Sequence, residues 1–226
     1  MISVSHVLWN SIIITEIPNR RIGSILAVLR GDQQRVNSSQ GPYNKVVGIG
    51  ATLNSTYKMH YGKAEITMKC IGVGGVVNAF ITMATNGDEI DWEMVGKDVS
   101  HGQTNFFWNN DMLYGVNSRT HAVSGGYINT TFHTYGIDWT PDSLTWLIDG
   151  APVRTLYRKD TLEDGIYKYP SHPSYIQFGV WDSSGSASTT SWANGPIDWD
   201  EQPSVLSNII SKIKITCDST YNKVVS

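Results

Sequence analysis

The stretch Asp88-Glu89-Ile90-Asp91-Trp92-Glu93-Met94 alternates acidic and apolar residues over three periods. Such a period of two belongs to a half-buried β-strand, in which successive side chains point to opposite faces. Ile90, Trp92 and Met94 then enter a core, while Glu89, Asp91 and Glu93 share the other face. Three carboxylates on one face raise one another's pKa and oppose close packing, so that face has to stay open. Three readings fit: a solvated acidic surface, oxygen ligands for a calcium ion, or two carboxylates for glycoside hydrolysis with a third tuning them. The last has a geometric demand. Residues four apart on a flat strand have Cα atoms about 13 Å apart, whereas a retaining carboxyl pair sits about 5–5.5 Å apart. Only a curved sheet with an open groove brings two Glu side chains that close.

The rest of the chain agrees with a sheet protein. Strand-like runs rich in β-branched and aromatic residues fall at 24–30, 45–54, 62–70, 76–85, 88–95, 103–108, 133–139, 144–148, 175–181 and 209–216, bounded by Gly, Pro, Asn, Asp or Ser. The turn Thr140-Pro141-Asp142-Ser143 predicts a hairpin, with Pro141 presetting φ and Asp142 bonding its own backbone. Asp149-Gly150 predicts a second one, feeding Val153. Tyr135, Ile137 and Trp139 share a face, as do Leu144, Trp146 and Ile148, which predicts an all-β sandwich of two antiparallel sheets. At 226 residues, one domain spanning 1–226 is expected, with 1–40 the least readable part. The net charge of −3, without a basic block, argues against nucleic acid as a partner and against an electrostatic membrane anchor. The longest nearly apolar run, 71–84, is too short to span a bilayer, and 4–15 lacks the flanks of a signal peptide. The histidines are scattered without ligand spacing, so neither a metal nor another cofactor is expected. A monomer is expected. The sequons at Asn37, Asn54 and Asn129 are no more than chance supplies in a chain this rich in Asn, Ser and Thr.

The acidic strand and its surroundings resemble a known family. Glu89-Ile90-Asp91-Trp92-Glu93 matches the E-x-D-x-E signature of glycoside hydrolase family 16. One branch, the Crh-type transglycosylases of fungal cell walls, is similar over three blocks in order. The first is Val76-Val77-Asn78-Ala79-Phe80-Ile81-Thr82-Met83, then Asp88 through Gly96, then Gln103-Thr104-Asn105. The second runs from Phe132-His133-Thr134-Tyr135 to Trp139, and on through Leu144-Thr145-Trp146 to Asp149-Gly150. The third holds Gln177 to Trp181 and Trp192-Ala193-Asn194-Gly195-Pro196-Ile197-Asp198-Trp199. The likeness covers about 48–216.

The resemblance implies a concave β-jelly-roll sandwich and a retaining double displacement. It assigns Glu89 as nucleophile, Asp91 as auxiliary acid and Glu93 as general acid/base. It further implies chitin as donor, β-glucan or chitin as acceptor, and an extracellular, cell-wall setting. The branch's cysteine-rich segment, separate carbohydrate-binding module, Ser/Thr-rich stalk and hydrophobic anchor tail are not recognisable, so the expectation extends to catalysis and not to wall attachment. An endo-β-glucanase or chitinase on the same scaffold, or a carbohydrate-binding protein without catalysis, are the alternatives. Around the acids, Asn105 either bonds sugar hydroxyls or satisfies a loop, and His133 either supports the acid network or is structural. Trp181 and Trp192 are expected as sugar platforms, with Gln177 and Thr189 as polar partners. Trp139 and Trp146 are expected in the core. Cys70 and Cys217 end two strands, and if those strands neighbour each other a disulfide tying the C-terminal strand down is feasible.

Overall fold

The computed structural model describes residues 26–222. The Val4–Thr15 stretch and the first two residues of the 24–30 run lie outside them. Two antiparallel sheets stack face to face as a β-jelly-roll sandwich. One has six strands in the order Ala51–Asn54, Ser174–Asp182, Val76–Ala84, Glu89–Val95, His101–Phe107, Arg119–Ala122. The other has five, in the order Ala151–Tyr157, Ser143–Ile148, His133–Trp139, Gly62–Lys69, Ile209–Cys217. The predicted runs thus recur as strands to within a few residues, except 45–54, of which only the Ala51–Asn54 end joins a sheet. The hairpin of Arg35–Ser38 with Gly41–Asn44, the strand Arg119–Ala122 and a short helix, Ala187–Trp192, carry no such signal in the sequence.

The alternation does what it predicts. Ile90, Trp92 and Met94 are buried against Phe80, Phe178 and Val180 of the same sheet and against Tyr135, Ile137, Trp139, Leu144 and Trp146 of the other. Phe80 and Phe178 are cross-strand partners and stack at 5.3 Å. Two indole N–H groups tie the sheets together through this core: Trp92 Nε1 donates to the Gly136 carbonyl at 2.8 Å, and Trp146 Nε1 to the Asp91 carbonyl at 2.9 Å. The acidic strand is thereby held from below at the residue in the middle of its three acids.

Both predicted hairpins form. Asp149 and Gly150 adopt φ of 51° and 82°, both left-handed, as a two-residue turn matched to strand twist requires. In the other, the Thr140 hydroxyl, and not the Asp142 carboxylate, accepts the turn's N–H groups, from Ser143 at 2.9 Å and Asp142 at 3.3 Å. Cys70 is buried, Cys217 is exposed and both are free thiols. Their strands are neighbours, as a bridge would need, but they run antiparallel with Cys217 opposite Gly62 and Ile209 opposite Lys69. The two cysteines therefore sit at opposite ends of the ladder, roughly 26 Å apart at about 3.3 Å per residue, and cannot pair.

Candidate active site

Antiparallel register places directly opposed residues on the same face, so the floor of the outer face of the six-stranded sheet can be read row by row. One row is Asn54, Gln177, Ile81, Asp91, Asn105. The next is Thr52, Gly179, Ala79, Glu93, Gln103, Thr120. Glu89 lies in the row on the other side, between Met83 and Phe107, with Tyr175 beyond. Small residues at 79 and 179 keep the floor low beside Glu93. Aromatic residues stand at both margins: Phe107 with Tyr114 edge-on at 5.6 Å near Glu89, and Trp181 stacked on Trp192 at 6.1 Å and 27° past Glu93.

The electrostatics follow from packing three carboxyls into this floor. Asp91 is 3% exposed. Burial first, then the charges of Glu89 and Glu93, hold its carboxyl well above the ordinary range. Its protonated form donates a hydrogen bond to Glu89, while Asn105 bonds it from the opposing strand. Glu89 is raised by burial and pulled back by that bond, which favours its carboxylate. Burial and the charge of Glu89 push Glu93 up to about 7. The set thus has an ionised carboxylate, a neutral proton donor beside it, and a carboxyl poised to give and take a proton near neutrality. Among the described residues no group of three or more His, Cys, Asp or Glu is arranged to hold a metal ion.

The raised pKa values also act on stability. A carboxyl raised in the fold contributes stability in its neutral form, present in full below about pH 4.3, its unfolded value. That contribution is lost as pH rises through about 7. Glu93→Gln, which keeps the neutral shape, is therefore expected to raise the melting temperature at pH 8 and leave it unchanged at pH 4. The gain at pH 8 is bounded by about 4 kcal/mol from the size of the shift, less what solvent in the groove screens. Melting curves at the two pH values check this, and an equal effect at both would contradict it.

The structure gathers most, but not all, of the sequence-nominated residues. Gln177 and Asn105 lie in the Asp91 row. Trp181 and Trp192 are half-buried on a small cluster of Val77, Val95 and Ala193, and their stacked pair walls the groove. Trp192 projects from the helix Ala187–Trp192, whose N-cap is Ser186. Thr189 is not at the groove floor: its hydroxyl donates to the Ser183 carbonyl at 2.6 Å and shapes the start of that helix. His133 is not brought to the acids either. It sits on the five-stranded sheet opposite Met68, faces the core, is 2% exposed, and its Nδ1 bonds Asp149 at 2.8 Å. With Thr134 N–H on the other oxygen of Asp149 at 2.7 Å, it pins the Asp149-Gly150 turn. The reason is parity, since His133 shares the face of Tyr135, Ile137 and Trp139.

Two residues join the site without having been singled out. Gln103 is the cross-strand partner of Glu93, and its Oε1 accepts the Trp192 indole N–H at 2.8 Å. It lies two residues before Asn105 on one strand, so period-two reading could have found it. Asp88 is buried and accepts from Asn109 N (2.8 Å), Ser171 N (2.9 Å), His172 N (3.1 Å) and Asn86 Nδ2 (3.0 Å), with His172 Nδ1 at 2.8 Å. Burial opposes its charge, but these bonds outweigh it and hold the carboxyl below its ordinary value. It fastens two loops to the start of the acidic strand, next to Glu89, a role no local pattern announces.

Comparison with known proteins fits this site. The model of glycosyl hydrolases family 16 matches residues 28–201. Congo red hypersensitive protein 2 of Saccharomyces cerevisiae is 36% identical over 177 residues, 74% of this chain and 37% of that protein. The Crh-like protein UTR2 of Candida albicans is 40% identical over 158 residues, 68% of this chain and 33% of that protein. The chain therefore spans about a third of the length of these relatives. Among solved structures, a Crh5 transglycosylase in complex with NAG superposes with a TM-score of 0.69 at 31% identity, covering 84% of this chain and 78% of that one. With its jelly-roll sandwich, its E-x-D-x-E strand and a family match over most of its length, the chain belongs to glycosyl hydrolases family 16.

Proposed function

We propose that this protein is a retaining transglycosylase of fungal cell-wall polysaccharide, cleaving chitin and transferring it to β-glucan or another chitin chain. The Glu89 carboxylate attacks the anomeric carbon as the glycosidic C–O bond breaks, and Glu93 gives its proton to the leaving oxygen. Asp91 keeps its own proton and steadies the Glu89 charge through their hydrogen bond. In the second step Glu93, now ionised, takes the proton of an acceptor hydroxyl. That oxygen attacks the anomeric carbon and releases Glu89. The residues form one catalytic domain acting outside the cell as a monomer. The likeness to Crh-like proteins supports the choice of substrates.

The observation that carries transfer over hydrolysis is the wall of Trp181, Trp192 and Gln103 beside Glu93. Water stands at about 55 M, so a sugar hydroxyl competes only if it is held in place, and positioned reactants reach effective molarities of roughly 10⁵ M or more. A half-buried indole pair, one N–H of which is fixed by the cross-strand neighbour of the acid/base, is a rigid surface for an acceptor ring. Trp192→Ala is expected to lower the ratio of transfer to hydrolysis several-fold at fixed acceptor and leave donor cleavage within about twofold, an effect of order 1–3 kcal/mol on acceptor binding. Mass spectrometry of products from chitin oligomers with a labelled acceptor measures it. Products no longer than the donor, whatever the acceptor, would mean a hydrolase.

The pH profile tests the roles of the acids. Reaction needs Glu93 protonated and Glu89 ionised, so the rate should be highest on the acid side and fall as pH rises through about 7, where Glu93 loses its proton. Initial rates between pH 4 and 9 check it. A rate still rising at pH 8 would contradict the assignment.

A further inference from the structure

The helix Ala187–Trp192 has only six residues, and a helix that short does not hold itself together in water. Its direction, and with it the placing of Trp192, is therefore set by what ties it to the sheet. The ties converge on one pair of residues. Just past the last paired residues of two neighbouring strands, Asp182 and Val76, Ser183 meets Gly75. Ser183 is buried, and its N–H and its hydroxyl both donate to the Gly75 carbonyl, each at 2.8 Å. The Ser183 carbonyl in turn accepts the Thr189 hydroxyl at 2.6 Å and the Thr190 hydroxyl at 3.4 Å. At the far end of the helix, the Gly75 N–H donates to the carbonyl of Ala193, the residue after Trp192, at 2.9 Å.

These bonds close a circuit around the indole pair. From Trp181 the chain reaches Ser183 in two residues, crosses to the start of the helix through Thr189, and returns from its end through Gly75. Both ends of the helix are thus referred to the strand that carries Trp181. Val77, two residues after Gly75, belongs to the small cluster on which both rings pack. Position 75 has no freedom to drift: its φ is 89°, and a Cβ there would come within 2.7 Å of the Ile197 nitrogen.

We propose that Ser183 is a positioning residue for the acceptor, which sets the placing of Trp192 against Trp181 and thereby the partition between transfer and hydrolysis. The inference rests on the acceptor reading of that wall. Ser183 is 1% exposed and reaches no substrate itself. The circuit includes none of the three acids, so it acts on the second displacement. There an acceptor hydroxyl outcompetes water only by being held, and that advantage falls steeply when the holding surface shifts. Water needs no wall and is indifferent to the shift.

The test compares three variants of the full chain. Ser183→Ala removes one of the two bonds to Gly75, Thr189→Val keeps the branched shape without the hydroxyl, and Thr189→Ser keeps the hydroxyl. Products from chitin oligomers with a labelled acceptor give the ratio of transfer to hydrolysis and the acceptor concentration for half-maximal transfer. Near-UV circular dichroism of the coupled indoles reports the geometry of the pair. Ser183→Ala and Thr189→Val are each expected to raise that acceptor concentration at least about threefold and to leave donor cleavage within about twofold, while Thr189→Ser matches the parent. The indole signal should change in the first two variants and persist in the third. A purely structural role would lower the melting temperature and move neither the ratio nor the indole signal in the folded variants, which overturns the proposal. If Ser183→Ala does not fold, Thr189→Val decides. Trp192→Ala, measured alongside, separates the two failures. A lowered ratio there, with no change in Ser183→Ala and Thr189→Val, removes this proposal alone. An unchanged ratio in Trp192→Ala removes the wall reading and this proposal with it.

Discussion

Glu89→Gln is expected to fold like the parent protein and to lose at least about 10³-fold in both cleavage and transfer, roughly 4 kcal/mol of barrier. An amide has the volume of the carboxylate and cannot form the glycosyl ester, so the first displacement stops. Folding should not suffer. Glu89 lies on the open face of the sheet, and removing its charge relieves Asp91 and Glu93, both of which it raises. With that charge gone, the apparent pKa of Glu93 should fall from about 7, while burial, the larger cause of its shift, still holds it above an ordinary carboxyl. Initial rates on chitin oligomers, with circular dichroism and a melting curve as controls, decide the matter. Activity within about tenfold of the parent in a folded variant would remove Glu89 from the nucleophile's role.

The second large effect is on stability. Trp146→Ala is expected to cost about 3–5 kcal/mol, the range for emptying a buried aromatic site. Trp146 is fully buried, the Arg154 guanidinium lies over its ring at 4.4 Å, and its N–H reaches the Asp91 carbonyl. Truncation therefore leaves a cavity, unseats Arg154 and deprives the acidic strand of one of its two indole anchors. Trp146→Phe keeps most of the volume but not the N–H, and is expected to cost less, with about 1 kcal/mol from the lost bond. Urea unfolding midpoints of the two variants measure this. A loss below about 1 kcal/mol for the alanine variant would mean that the core collapses around the gap and that Trp146 does not support the strand.

Much of the site was legible because a strand has only two faces. Parity alone put Glu89, Asp91 and Glu93 on one side and Ile90, Trp92 and Met94 on the other; the second three are buried in the core, while Asp91 is buried on the acid face between two half-buried Glu residues. The same rule, applied within one strand, would have added Gln103 to Asn105. Parity also places His133, which shares one face of its strand with Tyr135, Ile137 and Trp139. Tyr135 and Trp139 already pointed to the core, and His133 goes with them. Thr189 lies in a segment rich in Ser and Gly at the start of the helix Ala187–Trp192. Those same residues build a helix cap, and the cap holds its hydroxyl.

What the sequence determined by itself is local and periodic: strand identity, the Asp149-Gly150 turn, the three acids on a common face, and the core rings Trp139 and Trp146. These depend on backbone sterics and on the partition of side chains between water and core, which neighbouring residues suffice to express. What the tertiary structure decided depends on which strands pair and in which direction. Antiparallel pairing sends Cys70 and Cys217 to opposite ends of one ladder, although each ends a strand and the strands are neighbours. Register across the six-stranded sheet sets Gln103 beside Glu93 and lets it hold Trp192, 89 residues away. The pKa of Glu93 is likewise a property of the packed groove, because desolvation and the charge of Glu89 act only once the sheet has folded around both.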